Sequence, residues 1–338
     1  MAIVLDAMGG DHAPQAIVAG AVQATRSSNF PIILVGQHDV LEAELRKHDT
    51  TDLPLSIHHA PDVITMHDHA TAVRQRPESS IRVACDLVKQ GEGQALVSAG
   101  HSGATLAAAL MAFGRIPGIS RPALIALIPA RASHPTLLID MGANADCKPL
   151  QLQQFGLMGS IYSEQVYGVE SPKVGLLSIG EEPSKGNELS LAAYALLAEA
   201  PLNFVGNIEG RHILSEAVDV VVCDGFTGNV ALKTLEGAAE YISALLKAEL
   251  RASPRTVLGA LLAKPAFNHV RARMDYEEHG GAPLVGLNNA VIIAHGRSSA
   301  KAMTNALLLA HRTVAMDVTG KVKKRVAALL SESETSSA

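Results

Sequence analysis

Short apolar runs alternate with longer segments of helical periodicity, and this alternation is the feature that most limits the fold. Runs such as Ile32–Gly36 and Thr136–Asp140 are almost wholly aliphatic, as expected of strands covered on both faces. Segments such as Pro14–Arg26 and Val230–Leu250 carry apolar residues at helical spacing. The βαβα order predicts a doubly wound α/β protein, with a mostly parallel sheet and helices on both faces.

The elements can be placed from these patterns. The predicted strands are Ala2–Asp6, Ile32–Gly36, Leu55–His59, Gln94–Ser98, Leu124–Ile128, Thr136–Asp140, Lys173–Ile179, Asn203–Gly206, Asp219–Cys223 and Val291–Ala294. The predicted helices are Pro14–Arg26, Val40–His48, Ser80–Gln90, Thr105–Phe113, Leu150–Tyr167, Leu189–Glu199 and Val230–Leu250. We expect one α/β catalytic domain over residues 1–330, and the small polar residues of 331–338 predict a disordered tail.

Composition excludes several classes of protein. The chain has 338 residues, of which 48% are hydrophobic, and its net charge is −5, so it has ample core and no basic block that would point to nucleic acid. Its apolar runs fall short of the roughly 18 residues that a membrane span needs, and its first residues resemble a strand, not a signal peptide. Cys85, Cys147 and Cys223 are far apart and form neither a disulfide framework nor a metal-binding pattern. These features predict a cytoplasmic protein with buried thiols and no metal.

The first predicted strand ends in the sequence DAMGGDHAP, at residues 6–14. Two adjacent glycines let the backbone approach a ligand closely, and Pro14 suits the first turn of a helix. Ligands of open α/β sheets bind where strands end in such turns, although a structural turn would have the same residues. Asp6, Asp11 and His12 are therefore candidate functional side chains.

Four later strand exits have a similar composition: SAGHSGA at 98–104, DMGAN at 140–144, SIGEEPSKGNEL at 178–189 and CDGFTGN at 223–229. Free N–H groups and the helix dipole make a glycine turn at a helix start a good anion site. The chain lacks both the Walker A loop and the G-x-G-x-x-G fingerprint. Because we expect these turns to share one edge of one sheet, they predict a site for phosphate or a phosphorylated ligand.

Residues 253–276 depart from the alternation. They predict two short helices separated by Lys264 and Pro265, which form a protruding hairpin over residues 251–276. An apolar ridge with a basic rim suits a membrane surface or an acidic partner, and a dimer interface is a compatible alternative. The candidate contact residues are Arg255, Leu258, Leu261, Leu262, Lys264, Arg271 and Arg273.

Several motifs together resemble the PlsX family, the phosphate acyltransferases of bacterial phospholipid synthesis. They are DAMGGDHAP, SAGHSGA, GRIPGISRPAL, DMGAN, KGNEL, FVGNIEGR, DGFTGNV and GGAPLVGL, and they extend from residue 2 to about residue 297. The chain departs from the family pattern at His101-Ser102, where asparagine-threonine is usual, and at Glu181, where threonine is usual. Serine keeps the hydroxyl group, whereas the histidine puts a direct ligand role at position 101 in doubt.

The resemblance implies a fold like those of phosphotransacetylases and isocitrate dehydrogenase. It implies an enzyme that makes acyl phosphate from acyl-[acyl carrier protein] and inorganic phosphate, without a cofactor. It also implies a cytoplasmic homodimer that visits the membrane surface and supplies a membrane-bound glycerol-3-phosphate acyltransferase.

Phosphate is a nucleophile at neutral pH, so the protein must bind it, orient the thioester and stabilise the oxyanion. Asn229 and the backbone near Gly228 are candidate oxyanion donors, while His12, oriented by Asp6 or Asp11, is a candidate to steer or protonate the leaving group. The candidate catalytic residues are Lys185, Asn229, His12 and Asp6. The candidate phosphate-binding residues are Ser98, Gly100, Ser102, Gly103, Asn144, Asn187 and Gly228.

Other functions remain open at this point. A phosphotransacetylase would use coenzyme A as the acyl donor, a membrane scaffold would use only the hairpin, and an atypical nicotinamide dehydrogenase would share the fold. Cys223 offers a route through an acyl-cysteine, although a small buried strand residue is the preferred interpretation.

Overall fold

The computed structural model describes residues 2–130, 133–274 and 280–336, with side chains described except at 269, 271–274 and 330–336. Eleven strands in these ranges form one sheet, in the order β3-β2-β1-β4-β11-β10-β5-β6-β9-β7-β8. The strands are β1 (Ile3–Asp6), β2 (Ile32–Gly36), β3 (Leu55–His59), β4 (Ala95–Ser98), β5 (Ala123–Ile128), β6 (Thr136–Ile139), β7 (Lys173–Leu177), β8 (Asn203–Ile208), β9 (Val220–Val222), β10 (Ala282–Val285) and β11 (Ala290–Ile293).

Seven of the ten strand pairs in this sheet are parallel, which confirms the predicted mostly parallel sheet. The other three pairs are antiparallel and lie together in the middle, where β10 pairs with β11 and β5, and β5 pairs with β6. As a result, β6, β9, β7 and β8 run opposite to β1, β2, β3, β4 and β11. The sheet therefore consists of two parallel groups of opposite direction.

Eleven α-helices of the described ranges surround this sheet. They are α1 (Gln15–Ser28), α2 (His38–Leu45), α3 (Ser80–Gln90), α4 (Ser102–Phe113), α5 (Pro149–Tyr167), α6 (Glu188–Glu199), α7 (Gly225–Leu250), α8 (Pro254–Leu262), α9 (Lys264–Met274), α10 (Ala300–Ala315) and α11 (Val318–Ser336).

Both faces of the sheet are covered. In β1, Ile3 and Leu5 belong to one core cluster with residues of α1, α5 and α10, whereas Val4 belongs to the opposite cluster with residues of α3 and α4. Because successive strand residues point to opposite faces, a strand between two helix layers must be apolar at every position. The strand sequences are therefore continuous apolar runs. The two core clusters confirm the predicted helix layers on both faces of the sheet.

The structure corrects three parts of the prediction. Strand β10 was not expected, because Pro283 interrupts the short run Ala282–Val285 and proline is rare in central strands. Helices α10 and α11 were also absent from the prediction. The tail expected to be disordered from residue 331 instead continues α11 to Ser336, since a polar segment without glycine or proline has no helix-breaking residue.

Helix α7 lies largely outside the core. Of its 26 residues, only Gly225 and Gly228 are buried. Two short helices follow it, as the sequence predicts, but Lys264 and Pro265 begin α9 and do not form a separate connection. Proline is tolerated there because the first N–H groups of a helix have no partner inside it. Within the described residues, the helices are too short or too polar to cross a bilayer.

Candidate active site at two edges of the sheet

The predicted turns lie at two edges of the sheet, not at one. The first edge holds residues 6–12 and 98–103, which follow β1 and β4, and residues 294–297, which follow β11. The second edge holds residues 140–144, 178–187, 208–214 and 223–229, which follow β6, β7, β8 and β9. The expectation of a single edge is wrong because the two groups of strands run in opposite directions.

At the first edge, Asp6 and Ser98 bind each other. The Ser98 hydroxyl donates to Asp6 Oδ2 over 2.8 Å, and the Gly100 N–H donates to Ser98 Oγ over 3.1 Å. Burial raises the pKa of Asp6, and hydrogen bonds from Ser80 and Ser98 partly oppose this shift. The Asp6 carboxyl group and the Ser98 hydroxyl group thus join the turn after β1 to the turn after β4. The structure therefore does not support Asp6 as the group that orients His12. It also does not support Ser98 and Gly100 as phosphate donors.

The other predicted residues of the first edge are more open. His12 and Ser102 are exposed, and Gly103 is half-buried. His101 caps α4, because its Nδ1 accepts from the Ala104 N–H over 3.2 Å. An asparagine side chain commonly caps a helix in this way, so His101 retains the acceptor that the usual residue would supply.

At the second edge, one buried carboxylate organises the DMGAN turn. Asp140 Oδ1 accepts from the backbone N–H groups of Leu124 at 2.9 Å, Ala143 at 3.1 Å and Gly142 at 3.2 Å, and Oδ2 accepts from that of Asn144 at 2.7 Å. Burial raises the pKa of Asp140, while these hydrogen bonds act in the opposite direction. Asp140 thereby fixes the position of Asn144, whose amide also donates to Asp140 Oδ2 over 2.9 Å.

The start of α7 docks on this turn. The Gly225 N–H donates to the Asn144 carbonyl over 2.8 Å, and a Cβ at Gly228 would overlap the Asp140 carbonyl oxygen. Both positions therefore require glycine. The Gly228 N–H donates to the Asp224 carbonyl over 2.9 Å inside the helix. It is consequently not free as the oxyanion donor that the sequence suggested.

Asn229 is better placed for that role. It is the fifth residue of α7 and is exposed, and a Cβ built on Gly142 would lie 3.8 Å from Asn229 Cβ. The amide of Asn229 therefore lies next to the DMGAN turn, at the second edge, together with the half-buried Asn144.

The loop of residues 178–187, which we call the Lys185 loop, is held by a residue of β8. The amide of Asn207 donates to the carbonyl of Glu182 over 2.9 Å and to that of Lys185 over 3.3 Å. The Ser178 hydroxyl also donates to the Lys185 carbonyl, over 3.1 Å. These bonds fix the backbone of Lys185 and leave its side chain exposed.

Asn187, a predicted phosphate ligand, caps α6. Its Oδ1 accepts from the Ser190 N–H over 2.9 Å, and its own N–H donates to Ser190 Oγ over 2.9 Å. This capping box uses the side-chain oxygen of Asn187, so only its amide NH₂ remains for a ligand.

Two residues of the FVGNIEGR motif have structural roles that the sequence did not reveal. One is Asn207, and the other is Arg211, whose Nη2 lies 2.9 Å from Glu209 and 3.2 Å from Glu181. The ion pair with Glu181 joins the Lys185 loop to the segment after β8. Both residues lie just after the predicted strand Asn203–Gly206, and this position was the available signal.

Cys223 is not suited to nucleophilic catalysis. Its thiol is buried and lies 3.5 Å from the Asp140 carbonyl, to which it donates. Burial raises its pKa well above the usual value, and the thiolate is the nucleophilic form. The geometry agrees with the interpretation of a small buried strand residue.

The second edge combines cationic, amide and apolar side chains. Lys185 and Arg211 are exposed there, and so are Ile179 of the Lys185 loop, at 80%, and Phe226 at the start of α7, at 67%. Apolar groups gain free energy when a ligand removes them from water, so Ile179 and Phe226 are candidate contacts for an apolar part of a ligand. The arrangement suits a ligand that has both an anionic group and an apolar part.

Comparison with known proteins gives a consistent family. A model of the family described as fatty acid synthesis protein matches residues 1–321. The phosphate acyltransferase of Geobacter sulfurreducens is 48% identical over 327 residues, which cover 96% of this chain and 94% of the relative. The phosphate acyltransferase of Heliobacterium modesticaldum is 49% identical over 328 residues, which cover 96% of this chain and 98% of the relative.

Two solved structures have a similar fold at low sequence identity. A phosphotransacetylase from Streptococcus pyogenes superposes with a TM-score of 0.63 at 18% identity, covering 93% of each chain. A 4-hydroxythreonine-4-phosphate dehydrogenase from Klebsiella pneumoniae superposes with a TM-score of 0.56 at 13% identity, covering 94% of this chain and 99% of the other. The expected phosphotransacetylase-like fold is confirmed.

Proposed function

The chain belongs to the PlsX family and is an acyltransferase, and we propose that it makes acyl phosphate from acyl-[acyl carrier protein] and inorganic phosphate. In the proposed reaction a phosphate oxygen attacks the thioester carbonyl and forms a tetrahedral oxyanion. Collapse of this intermediate breaks the C–S bond, releases the carrier thiolate and leaves the acyl group on phosphate. The thiolate then takes a proton from solvent or from a nearby acid.

The observation that carries this proposal is that Lys185 and Asn229 are both exposed at the second edge. The Lys185 ammonium group supplies a positive charge for phosphate, and the Asn229 amide supplies a donor beside the DMGAN turn. The two amide hydrogens of Asn144 bind the Pro122 carbonyl and Asp140 Oδ2, so Asn144 orders the turn and has no amide donor left for the predicted phosphate contact. Fixed donors that point to developing negative charge stabilise a transition state without reorganisation. We assign phosphate binding to Lys185, and oxyanion stabilisation to Asn229.

We further propose that the helices after α7 contact the acyl carrier protein or the membrane surface. Leu258, Leu261 and Leu262 of α8 are 60%, 63% and 79% exposed, and Arg255 and Lys264 are exposed beside them. A basic rim attracts both an acidic carrier and anionic lipid. The side chains of Arg271 and Arg273 lie outside the described residues, so their part in this surface stays a prediction.

The proposed biological setting follows from the product. An acyl phosphate with a long chain is poorly soluble and hydrolyses, so direct delivery favours a cytoplasmic enzyme at the membrane surface. The proposed recipient is the membrane-bound glycerol-3-phosphate acyltransferase.

We propose that the chain works as a homodimer through α7. Tyr241, Ile242, Leu245 and Leu246 of this helix are all exposed, in a helix with two buried residues. A second copy would remove this apolar face from water, and twofold association is the commonest way in which such faces are covered.

The decisive experiment supplies palmitoyl-[acyl carrier protein] and inorganic phosphate to the purified protein and traps acyl phosphate with hydroxylamine. We expect hydroxamate that depends on added phosphate, and its absence with folded protein would contradict the proposal. Palmitoyl-CoA is the parallel donor, because the fold of the Streptococcus pyogenes phosphotransacetylase favours coenzyme A chemistry as the second candidate. Product from the CoA donor alone would select that candidate.

A further inference from the structure

An open cleft of about 680 Å³ lies between the end of α4 and the loop before β5. Leu110 and residues 114–119, 121 and 122 line it. This loop is the GRIPGISRP segment, residues 114–122, which we call the arginine loop. Its motif has no role in the reaction derived above.

The arginine loop is held in place by bonds to two other parts of the chain, the loop between β10 and β11 and helix α5. Ile116 N–H donates to the Gly286 carbonyl over 3.0 Å, and the Asn288 amide donates to the Arg115 carbonyl over 3.0 Å. Gln154 of α5 accepts from the Ser120 N–H over 2.8 Å and donates to the Gly118 carbonyl over 2.7 Å. The cleft is therefore preformed, and a ligand would not have to order it.

The lining of the cleft is cationic above an apolar floor. Arg115 and Arg121 are exposed, and the lining residues include no carboxylate. Ile116 and Ile119 are buried beneath them, and Arg115 Nη1 donates to the Ser120 carbonyl, which holds its guanidinium group against the loop. Within the part of the chain that the structure describes, neither guanidinium group has a carboxylate partner, which favours a phosphate group that they can bind through several charge-assisted hydrogen bonds.

The cleft adjoins the second edge. The Asn144 amide donates to the carbonyl of Pro122, the last residue of the arginine loop, over 2.8 Å. Asp140 binds the N–H of Leu124, two residues further on, over 2.9 Å. A ligand in the cleft is therefore next to the DMGAN turn, beside which Asn229 lies.

We propose that this cleft binds the phosphate group of the pantetheine arm that carries the acyl thioester. This inference rests on the proposed function, since it assigns a position to the acyl donor. The arm has a phosphate at one end and the thioester at the other, separated by amides and methylene groups. Its phosphate can lie between Arg115 and Arg121, and its aliphatic part can lie along Leu110 and Pro117 of the cleft lining, while the thioester extends toward Asn229.

The test compares palmitoyl-4′-phosphopantetheine with palmitoyl-pantetheine, which lacks the phosphate. In the unchanged protein we expect the phosphate to lower the KM of the donor roughly tenfold, as one charge-assisted contact would. In Arg121→Gln this advantage should fall at least threefold, and the KM of inorganic phosphate should stay constant. Arg46→Gln, which changes an exposed arginine directly after α2, is the matched control and should keep the full advantage.

Two measurements separate this inference from the proposed function. Calorimetric titration with 4′-phosphopantetheine should show binding that Arg121→Gln weakens, and this readout does not require turnover. If acyl phosphate forms but Arg121→Gln leaves the phosphate advantage unchanged, the inference is overturned and the proposed function stands. If no acyl phosphate forms while the titration still depends on Arg121, the proposed function fails and the phosphate subsite stands.

Two further outcomes would overturn the assignment. A rise in the KM of inorganic phosphate in Arg121→Gln would place the co-substrate in the cleft instead of the donor. The carrier-protein and CoA donors share the arm, so Arg121→Gln should raise both KM values. An effect confined to the CoA donor would place the nucleotide phosphates of CoA in the cleft.

Arg115→Lys keeps the positive charge of the cleft. If the arginine loop keeps its fold, this variant should retain most of the KM advantage that the donor phosphate gives.

Discussion

The side-chain amide of Asn207 donates to the main-chain carbonyl of Lys185 over 3.3 Å, from the end of one strand to the loop that follows its neighbour. Asn207 is 6% exposed, and its second bond, to the Glu182 carbonyl, measures 2.9 Å. A buried amide that binds two carbonyls of one loop sets the path of that loop. The position of the Lys185 cation thus depends on a residue that does not itself face the ligand.

We expect Asn207→Asp to lower kcat/KM at least tenfold at pH 8, because a carboxylate cannot donate to the two carbonyls and repels them. Burial should raise the pKa of the new carboxyl group, so activity should recover as the pH falls and the group becomes a donor. The measurement is the pH profile of acyl phosphate formation.

Asn203→Asp is the matched control, because Asn203 lies on the same strand and donates to the Ser171 carbonyl over 2.8 Å, away from the Lys185 loop. It should leave the profile unchanged. Full activity of Asn207→Asp at every pH would show that the amide does not position Lys185.

Replacing two glycines of α7 by alanine should change the stability of the protein in opposite directions. Gly228→Ala places a methyl group on the Asp140 carbonyl oxygen and 2.9 Å from the Cys223 sulfur, and should destabilise the fold by about 3 kcal/mol. Gly237→Ala meets open space on the same helix and should stabilise it by about 0.5–1 kcal/mol. Urea denaturation measures both, and equal stability of the two variants would contradict the docking of α7 on the DMGAN turn.

Asp6 should make stability depend on pH. Because burial raises its pKa in the folded state, the folded protein binds this proton more tightly than the unfolded chain. Its stabilising contribution is complete below the unfolded value of 3.8 and is lost as the pH rises through the higher folded value. Asp6→Asn should therefore gain stability relative to the unchanged protein between pH 4 and pH 7.

Denaturation at several pH values tests this trend. Asp39→Asn, a change at a fully exposed carboxylate on α2, is the control in which burial has no part. A constant difference between Asp6→Asn and the unchanged protein would count against the buried-carboxyl explanation.

The two edges of the sheet can be tested against each other. Lys185→Met and Asn229→Ala should each reduce turnover on the order of 100-fold, since the first removes the cation assigned to the attacking phosphate and the second removes the assigned oxyanion donor. His12→Ala, at the first edge, should have a much smaller effect. The measurement is hydroxamate formation under saturating phosphate, with folding checked by circular dichroism. A larger loss in His12→Ala would move the chemistry to the first edge.

Ile242→Glu or Leu245→Glu should convert a dimer to a monomer, because each puts a charge into the exposed apolar face of α7. Lys247→Glu, on the same helix, should leave association intact. Light scattering after size exclusion measures the mass, and dimers of all three variants would show that another surface mediates association.

Sequence patterns predicted most elements closely. Ile32–Gly36, Leu55–His59 and Ser80–Gln90 have the predicted bounds, because each has a strong pattern and clear flanking residues. Lys185 and Asn229 were predicted as site residues from the composition of their turns, and their roles stay predictions. Asn207 and Asp140 were not identified as positioning residues, since hydrogen bonds to distant loops leave no local pattern.

One signal for the antiparallel centre was present in the sequence. Only seven residues separate Ile128 from Thr136, and a parallel crossover needs about a dozen or more. The second cause of the antiparallel centre is strand β10, which was not predicted because Pro283 interrupts its apolar run. Recognition of the short β5–β6 connection would have predicted the reversal of direction.

The sequence by itself determined the α/β class, the strand-exit turns and the family, because apolar periodicity and glycine turns are local properties. Only the tertiary structure decided that Asp6 and Ser98 lie at one edge while Lys185 and Asn229 lie at the other. The physical reason is that strand direction is set by pairing between distant segments, and the antiparallel pair of β5 and β6 reverses half of the sheet.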